Sequence, residues 1–379
     1  MIPTPGITPR RSCQMSLPTA RVRAITFPPP PITAEPDSPE GAGLARLHLN
    51  EAPMGPSPKA LAAAVAALAY AHRYPDHAAS ELIGRIAKAT GIAADCISVG
   101  NGSGEILVAL AQMVTDPGDE AVFPAPTFPT CGKGAQIAGG RLINVPLRAD
   151  GVNDVPAMLD AITDRTRLFY LCTPNNPTGG ILPAEDLALA AQKVPDDCLL
   201  VVDEAYFEFT TAQDGADALS ILRNRTAPWV VTRSFSKAYC LAGLRAGYAL
   251  CSSREICDAL WTLRPNFNIN RPALAAASAA LADTEHLAAV LDHANTERAR
   301  LSGSLRAQGC KLFPGATNFL TFQPTGNANA IAARLKEQDV VVQALPWPDA
   351  DGSLRVTLGS REENDRFLAL YASAVQDPA

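Results

Sequence analysis

Between Val230 and Leu250 the chain reads VVTRSFSKAYCLAGLRAGYAL, which sets Arg233, Ser234, Ser236, Lys237 and Arg245 in an apolar, Gly- and Ala-rich run with no acid among them. Buried cations are costly unless an anion meets them. Two explanations stand: a solvated basic face, or an anion brought from outside the chain. Lys237 has the most chemistry in it, because a lysine in a partly dry site loses its proton readily and becomes a nucleophile. Three other segments carry comparable groups. GNGSGE at 100–105 is a glycine-rich turn opening a helical pattern, where free N–H groups and the positive helix end suit a phosphate, although the same glycines also make an ordinary tight turn. CTPNNPTGG at 172–180 is a stiff turn able to aim Asn176 into a crevice, and DEAYFEF at 203–209 ends an apolar run with Asp203 and Glu204.

These segments need a frame that brings them together. Short β-rich runs occur at 97–99, 121–123, 142–145, 168–171, 199–202, 229–232 and 246–250, with helical stretches such as 105–114 and 184–193 between most of them. Apolar strands alternating with helices predict an α/β architecture: a mostly parallel sheet with helices on both faces. Ligands of such sheets gather at the carboxyl ends of the strands, which is where the three turns lie. After residue 271 the texture changes to Ala/Leu helices at 272–282 and 285–308, then strand-like pieces at 318–322 and 354–358 flanking a helix at 329–338. The division read from this is a Pro-rich extended or disordered arm at 1–40, an N-terminal segment at 41–72 packing with the smaller unit, a large ligand-binding domain at 73–271 and a smaller α+β domain at 272–379.

Composition narrows the function. At 379 residues, 47 % hydrophobic and 18 % charged, the chain suits two packed units. A net charge of −6 gives no general attraction to nucleic acid or anionic membrane, and no apolar run reaches the length of a membrane span. Nine scattered cysteines with no C-x-x-C pair suggest neither a disulfide framework nor a zinc site, and a reducing cytoplasm is the expected home. A dinucleotide fold wants an acid closing the second strand, whereas Asp119 and Glu120 precede it. A nucleotide hydrolase wants a G-x-x-x-x-G-K-[ST] loop, which is missing.

Taken in order, CTPNNPTG, VVDEAYFEF and SFSKAYCLAGLRAGY resemble the fold-type I pyridoxal-phosphate aminotransferases, and in particular their histidinol-phosphate branch. LNEAPMGPSP, RYPD, GNGSGE, PAPTFPT and LRVTLGS extend the resemblance from about residue 47 to the C-terminus. It implies that Lys237 forms a Schiff base with the cofactor aldehyde and then shuttles the α-proton. Asp203 faces the pyridine nitrogen and keeps it protonated, Asn176 and Tyr206 bond the ring hydroxyl, and Phe128 stacks on the ring. Ser103, Gly104, Ser234, Ser236 and Arg245 hold the cofactor phosphate, joined by Tyr74 from a second subunit of a homodimer. Arg355 clamps the substrate carboxylate and Asn50 closes the site from the N-terminal side. The anion missing from the basic run is then the cofactor. Arg233 receives no role, and a salt bridge is its expected use; His72 and His77 are expected to be solvated.

Several positions depart from the histidinol-phosphate pattern. Gly104 stands where aspartate is common, Gln343 where arginine is usual, and Phe267 and Phe128 where tyrosines are usual. The distal pocket has lost polar groups while the catalytic set is complete. Three substrates therefore stay open: histidinol phosphate, an unphosphorylated aromatic or apolar amino acid, or decarboxylation of a phosphorylated amino acid by the same fold. 2-Oxoglutarate is the expected acceptor, and Arg264, Arg21 or Arg23 are the candidates for a replacement charge.

Overall fold

The apolar runs become strands of one seven-stranded sheet in the computed structural model, which describes residues 20–25, 43–211 and 215–376. In chain order the strands are β1 (Ala45–Arg46), β2 (Ile97–Asn101), β3 (Glu120–Ala125), β4 (Arg141–Pro146), β5 (Thr166–Cys172), β6 (Leu199–Asp203), β7 (Trp229–Ser234) and β8 (Ala246–Cys251). Five more follow: β9 (Lys311–Leu312), β10 (Phe319–Gln323), β11 (Val340–Val341), β12 (Gln343–Leu345) and β13 (Ser353–Thr357). The large sheet has the order β2-β8-β7-β6-β5-β3-β4, and β8 alone runs against its neighbours. Both faces are covered. Phe169 and Leu171 of β5 enter the core on one side, and Leu168 and Tyr170 enter that on the other, which is why these strands read as unbroken apolar runs.

The register explains how distant motifs meet. Cys172 lies opposite Asp203, Asp203 opposite Thr232, Ser234 opposite Gly247, and Ala246 opposite Asn101. The carboxyl ends of β2, β5, β6 and β7 thus share one edge. Because β8 is reversed, Arg245 enters that edge just before its strand begins.

The second unit carries a sheet of order β12-β13-β10-β9, packed with the helices Thr284–Ala307, Ala328–Glu337 and Arg361–Gln376. β1 pairs in parallel with β11, tying the N-terminal segment to it. Two expectations change here. The segment 41–72 is divided, because the helix Pro58–Leu68 lies against Arg271–Leu281 and buries Ala60 and Ala64 in the core of the large sheet. Arg271–Leu281, expected to open the smaller domain, buries Ala273, Ala276, Ala277 and Ala280 in that same core. Alanines on both helices let the axes approach closely enough to join the larger unit. Most of the 1–40 arm, Arg21's side chain included, falls outside the described residues. Among the described residues no single helix is long and apolar enough to cross a membrane, and no cluster of metal-ligating side chains occurs.

Candidate active site

The shared edge opens into a cavity of about 1080 Å³ between the two units. Its lining includes Asn50, Ser103, Gly104, Phe128, Asn176, Asp203, Tyr206, Ser234, Ser236, Lys237, Arg245 and Arg355, so the single chain gathers all of the expected site residues except Tyr74. Tyr74 lies outside, 76 % exposed and stacked on Phe267 with ring centroids 4.4 Å apart.

At one end the backbone and Arg245 make a cradle. The helix Ser103–Val114 begins after Gly102 with no side-chain cap, which leaves its first N–H groups facing the cavity end of β2. Gly102 has φ +76, and a Cβ there would stand 2.4 Å from an Arg245 guanidinium nitrogen. Gly247 is equally constrained, since its Cβ would sit 2.3 Å from the backbone nitrogen of Ser103. Arg245 donates to the Ser236 hydroxyl at 3.3 Å and the Ala242 carbonyl at 2.8 Å, and Ser236 N donates to Ser234 Oγ at 3.1 Å. No carboxylate of the described chain pairs with Arg245. Hydroxyls, a guanidinium and an uncapped helix end suit a phosphate dianion. Gly104 is not forced by crowding, for the nearest atom to a Cβ there is a Thr130 methyl at 3.7 Å.

Asp203, 1 % exposed, lies at the other end of the edge. It accepts from the Tyr170 hydroxyl at 2.9 Å and the Thr232 hydroxyl at 3.0 Å, and no cation of the described chain reaches it. Burial pushes its pKa up to about 6 against those two donors. A buried carboxylate without a cation fits a protonated ring nitrogen. Neither Tyr170 nor Thr232 was expected. The signal lay in each being a hydroxyl inside an apolar strand, Tyr170 two positions before Cys172, which lies opposite the acid, and Thr232 directly across from the acid itself.

Lys237 sits between these ends and donates from Nζ to the carbonyls of Asn50 at 2.9 Å and Leu49 at 3.3 Å. Burial lowers its pKa to about 8, with Arg355 and Arg245 acting in the same direction and Glu51 opposing. Asn50 takes φ 55, a left-handed conformation that asparagine tolerates, and it is held there by Thr357 and Asn318. Its side-chain amide donates to the Tyr206 hydroxyl at 3.0 Å. Tyr206 is buried, and burial raises its pKa to about 12.

Arg355, on β13, donates to Asn176 Oδ1 at 2.5 Å and to the His48 carbonyl at 2.6 Å, leaving Nε without a partner. Asn176 therefore spends its oxygen on Arg355 and keeps its amide N–H groups for the cavity. Gln343 lies directly across from Arg355 on β12. Lys336, which the sequence did not single out, reaches the same wall.

Other groups leave the site. Arg233 bonds Glu204 at 2.8 Å and Asp217 at 2.8 Å, so its anions come from within the chain, unlike those of its neighbours in the basic run. Arg264 is also excluded: it stacks on Trp261 and donates to the carbonyls of Val99 and His77, away from the cavity. Phe267 lines Tyr74 instead of the distal pocket. His77 is not simply solvated, since Nδ1 accepts from Phe267 N at 3.3 Å and its ring packs against Trp261.

Known proteins are similar to this chain in sequence and fold. A histidinol-phosphate aminotransferase of Mesorhizobium japonicum is 40 % identical over 328 residues, 86 % of this chain and 89 % of that protein. An aromatic amino acid aminotransferase of Rhodococcus jostii is 39 % identical, covering 87 % of this chain and 90 % of that protein. The crystal structure of histidinol-phosphate aminotransferase from Sinorhizobium meliloti in complex with pyridoxal-5'-phosphate superimposes with a TM-score of 0.87 at 29 % identity, over 96 % of this chain and 99 % of that one. With the family pattern running from residue 44 to 370 through every strand that bears a site residue, the chain belongs to the class I and II aminotransferases, pyridoxal-phosphate-dependent enzymes of fold type I.

Proposed function

We propose that this aminotransferase takes an aromatic or apolar amino acid as donor and a dicarboxylic 2-oxo acid such as 2-oxoglutarate as acceptor, working as a homodimer. The observation that carries the reading is the cavity lining, where Phe128, Val342 and the amide of Gln343 offer an aromatic side chain contact area, and the arginines, among the described residues, are limited to Arg245 and Arg355. Histidinol phosphate is the second reading, supported by relatives of that name.

The residues present fit pyridoxal phosphate: a cradle that a Cβ at Gly102 would fill, and a buried carboxylate without a cation. When bound, that cofactor supplies the electron sink that lets an α-carbon release its proton. Ser103, Gly104, Ser234, Ser236 and Arg245 hold its phosphate. Asp203 would hold a proton on the ring nitrogen, Asn176 and Tyr206 would donate to the ring hydroxyl, and Phe128 would lie against the ring. Arg355 binds the substrate carboxylate bidentately and so fixes the α-carbon before Lys237. With its pKa lowered to about 8, the Lys237 amine would take that α-proton. Closure around Asn50 keeps water from the transfer.

A second copy of the chain is supported by the surface. Leu61, Val65 and Leu68 line the outer face of Pro58–Leu68, and with Tyr70, Tyr74, Trp261, Leu263 and Phe267 they leave large apolar side chains exposed. On this reading Tyr74 completes the partner's phosphate cradle.

Borohydride treatment of the purified protein should link the cofactor to Lys237, as peptide mapping reports. The specificity test compares kcat/KM for phenylalanine, histidinol and histidinol phosphate. A strong preference for histidinol phosphate over histidinol would replace the aromatic reading by the second one.

A further inference from the structure

Asn50 is held more tightly than a turn that only closes the cavity requires. It keeps φ 55, a backbone conformation that is unfavourable for a non-glycine residue and persists only where the surroundings fix it. All of its polar groups are engaged. Its N–H donates to Thr357 Oγ1 at 3.0 Å, its Oδ1 accepts from the same hydroxyl at 3.2 Å, and its side-chain amide donates to Tyr206. Its carbonyl accepts from Asn318 Nδ2 at 2.9 Å. Asn318 and Thr357 are 3 % and 2 % exposed, and neither lines the cavity. They stand side by side, since Leu358 N, next after Thr357, donates to the Asn318 carbonyl at 2.8 Å. Whatever they contribute to the chemistry passes through Asn50.

What the turn presents to the cavity is a pair of acceptors. The carbonyls of Asn50 and Leu49 take hydrogen bonds from Lys237 Nζ at 2.9 and 3.3 Å. A neutral amine has two N–H bonds and one lone pair, so with both N–H groups taken the lone pair points away from the turn. A lysine without such acceptors swings on a long flexible stem. The carbonyls therefore set the direction in which the amine can accept a proton. The mounting of the turn matters as well. Thr357 and Arg355 lie two residues apart on β13 and so on one face of it. The strand that grips Asn50 also carries the arginine assigned to the substrate carboxylate.

We propose that Thr357 and Asn318 are positioning residues for Lys237, holding the Asn50 carbonyl where it aims the free amine. Through them β13 fixes that amine relative to a carboxylate at Arg355, so one strand of the smaller unit sets the path of the α-proton. The proposal rests on the reading of Lys237 as the amine that takes this proton.

Competitive acetylation of the full-length chain freed of cofactor, followed across pH by peptide mass spectrometry, reports how tightly Lys237 holds its proton. Burial, Arg355 and Arg245 bring its pKa down to about 8 against Glu51, and carbonyl acceptors favour the ammonium form. Thr357→Val keeps the shape and removes the hydroxyl, so Lys237 should bind its proton about tenfold more weakly, the effect of one hydrogen bond to a charged group. Asn318→Leu removes the donor to the same carbonyl, leaves no partner of Oδ1 behind, and should act in the same direction. Thr357→Ser returns the hydroxyl and should restore the parent value, which a fold defect would not allow. In the holoenzyme Thr357→Val should lower kcat about tenfold at unchanged donor KM and enlarge the isotope effect of an α-deuterated donor. Unchanged labelling of Lys237 in Thr357→Val, an equal loss in Thr357→Ser, or a change shared by the other lysines overturns the proposal. Mapping of the borohydride adduct tests the underlying reading separately, because an adduct on another lysine removes that reading whatever the labelling shows.

Discussion

Asp203→Asn should stabilise the cofactor-free chain while weakening its hold on the cofactor. The carboxyl is 1 % exposed, and burial moves its pKa from 3.8 to about 6. That shift of about two units corresponds to about 3 kcal/mol at 1.36 kcal/mol per unit. The sign follows from proton binding. Below pH 4 the group is protonated in both folded and unfolded chains and costs nothing. As pH rises towards 6 the unfolded chain gives up its proton first, so the folded state loses stability until both are ionised. An amide pays no such cost, and the hydroxyls of Tyr170 and Thr232 can turn to donate or accept as it requires. In urea unfolding of cofactor-free protein, the variant should therefore exceed the parent by about 3 kcal/mol at pH 7.5 and by about half that at pH 5. With cofactor bound the order should reverse, since a ring cation repays the carboxylate and not the amide. A stability difference that does not change with pH, or a variant less stable than its parent at pH 7.5, would refute the argument.

Gly102→Ala places a methyl 2.4 Å from the Arg245 guanidinium at φ +76, so the cofactor dissociation constant should rise at least about tenfold, or about 1.4 kcal/mol, measured by fluorescence titration. Arg233→Met leaves Glu204 buried beside an apolar side chain, and loss of one partner of a buried pair should cost about 3–5 kcal/mol in denaturant unfolding, with cofactor absorbance in the surviving folded protein unchanged. Mixing a Tyr74→Phe, Lys237→Ala double variant with the parent should alter cofactor affinity only where hybrid dimers form; strictly additive behaviour of the two parents would count against a shared site.

Much of the site was legible because its residues lie in short, ordered motifs at strand ends. Asp203 closes β6, Asn176 and Lys237 lie in the turns after β5 and β7, and Arg245 precedes the reversed β8, so all four reach one edge. Six of the seven runs were legible because they are buried on both faces, the edge strand β4 being largely uncovered. What escaped depends on register and on contacts between units. Tyr170 and Thr232 matter only because β5 and β7 flank β6, and Asn318 and Thr357 only because they hold Asn50 in its left-handed conformation. Lys336 approaches the cavity from the smaller unit, far along the chain from any motif. Arg264 was a candidate by charge alone and proved to be spent on two carbonyls and Trp261. The helix Arg271–Leu281 was misplaced because an Ala-rich pattern does not say which of two cores it will join.

Asp203 and Tyr206 are three residues apart, yet they are anchored in different places. Asp203 is held from within the large sheet. Tyr206 belongs to the apolar core of the second unit, edge-on to Phe319 with ring centroids 5.4 Å apart. The cavity is thus walled by two separately packed masses, which meet at Asn176–Arg355 and at the backbone of Gly179 and Gly315. Heat or mutation that loosens one mass reaches the ligand by a different route from damage to the other. Temperature-sensitive alleles would accordingly sort into two kinds, those that shed the cofactor and those that keep it but no longer recognise what it acts upon.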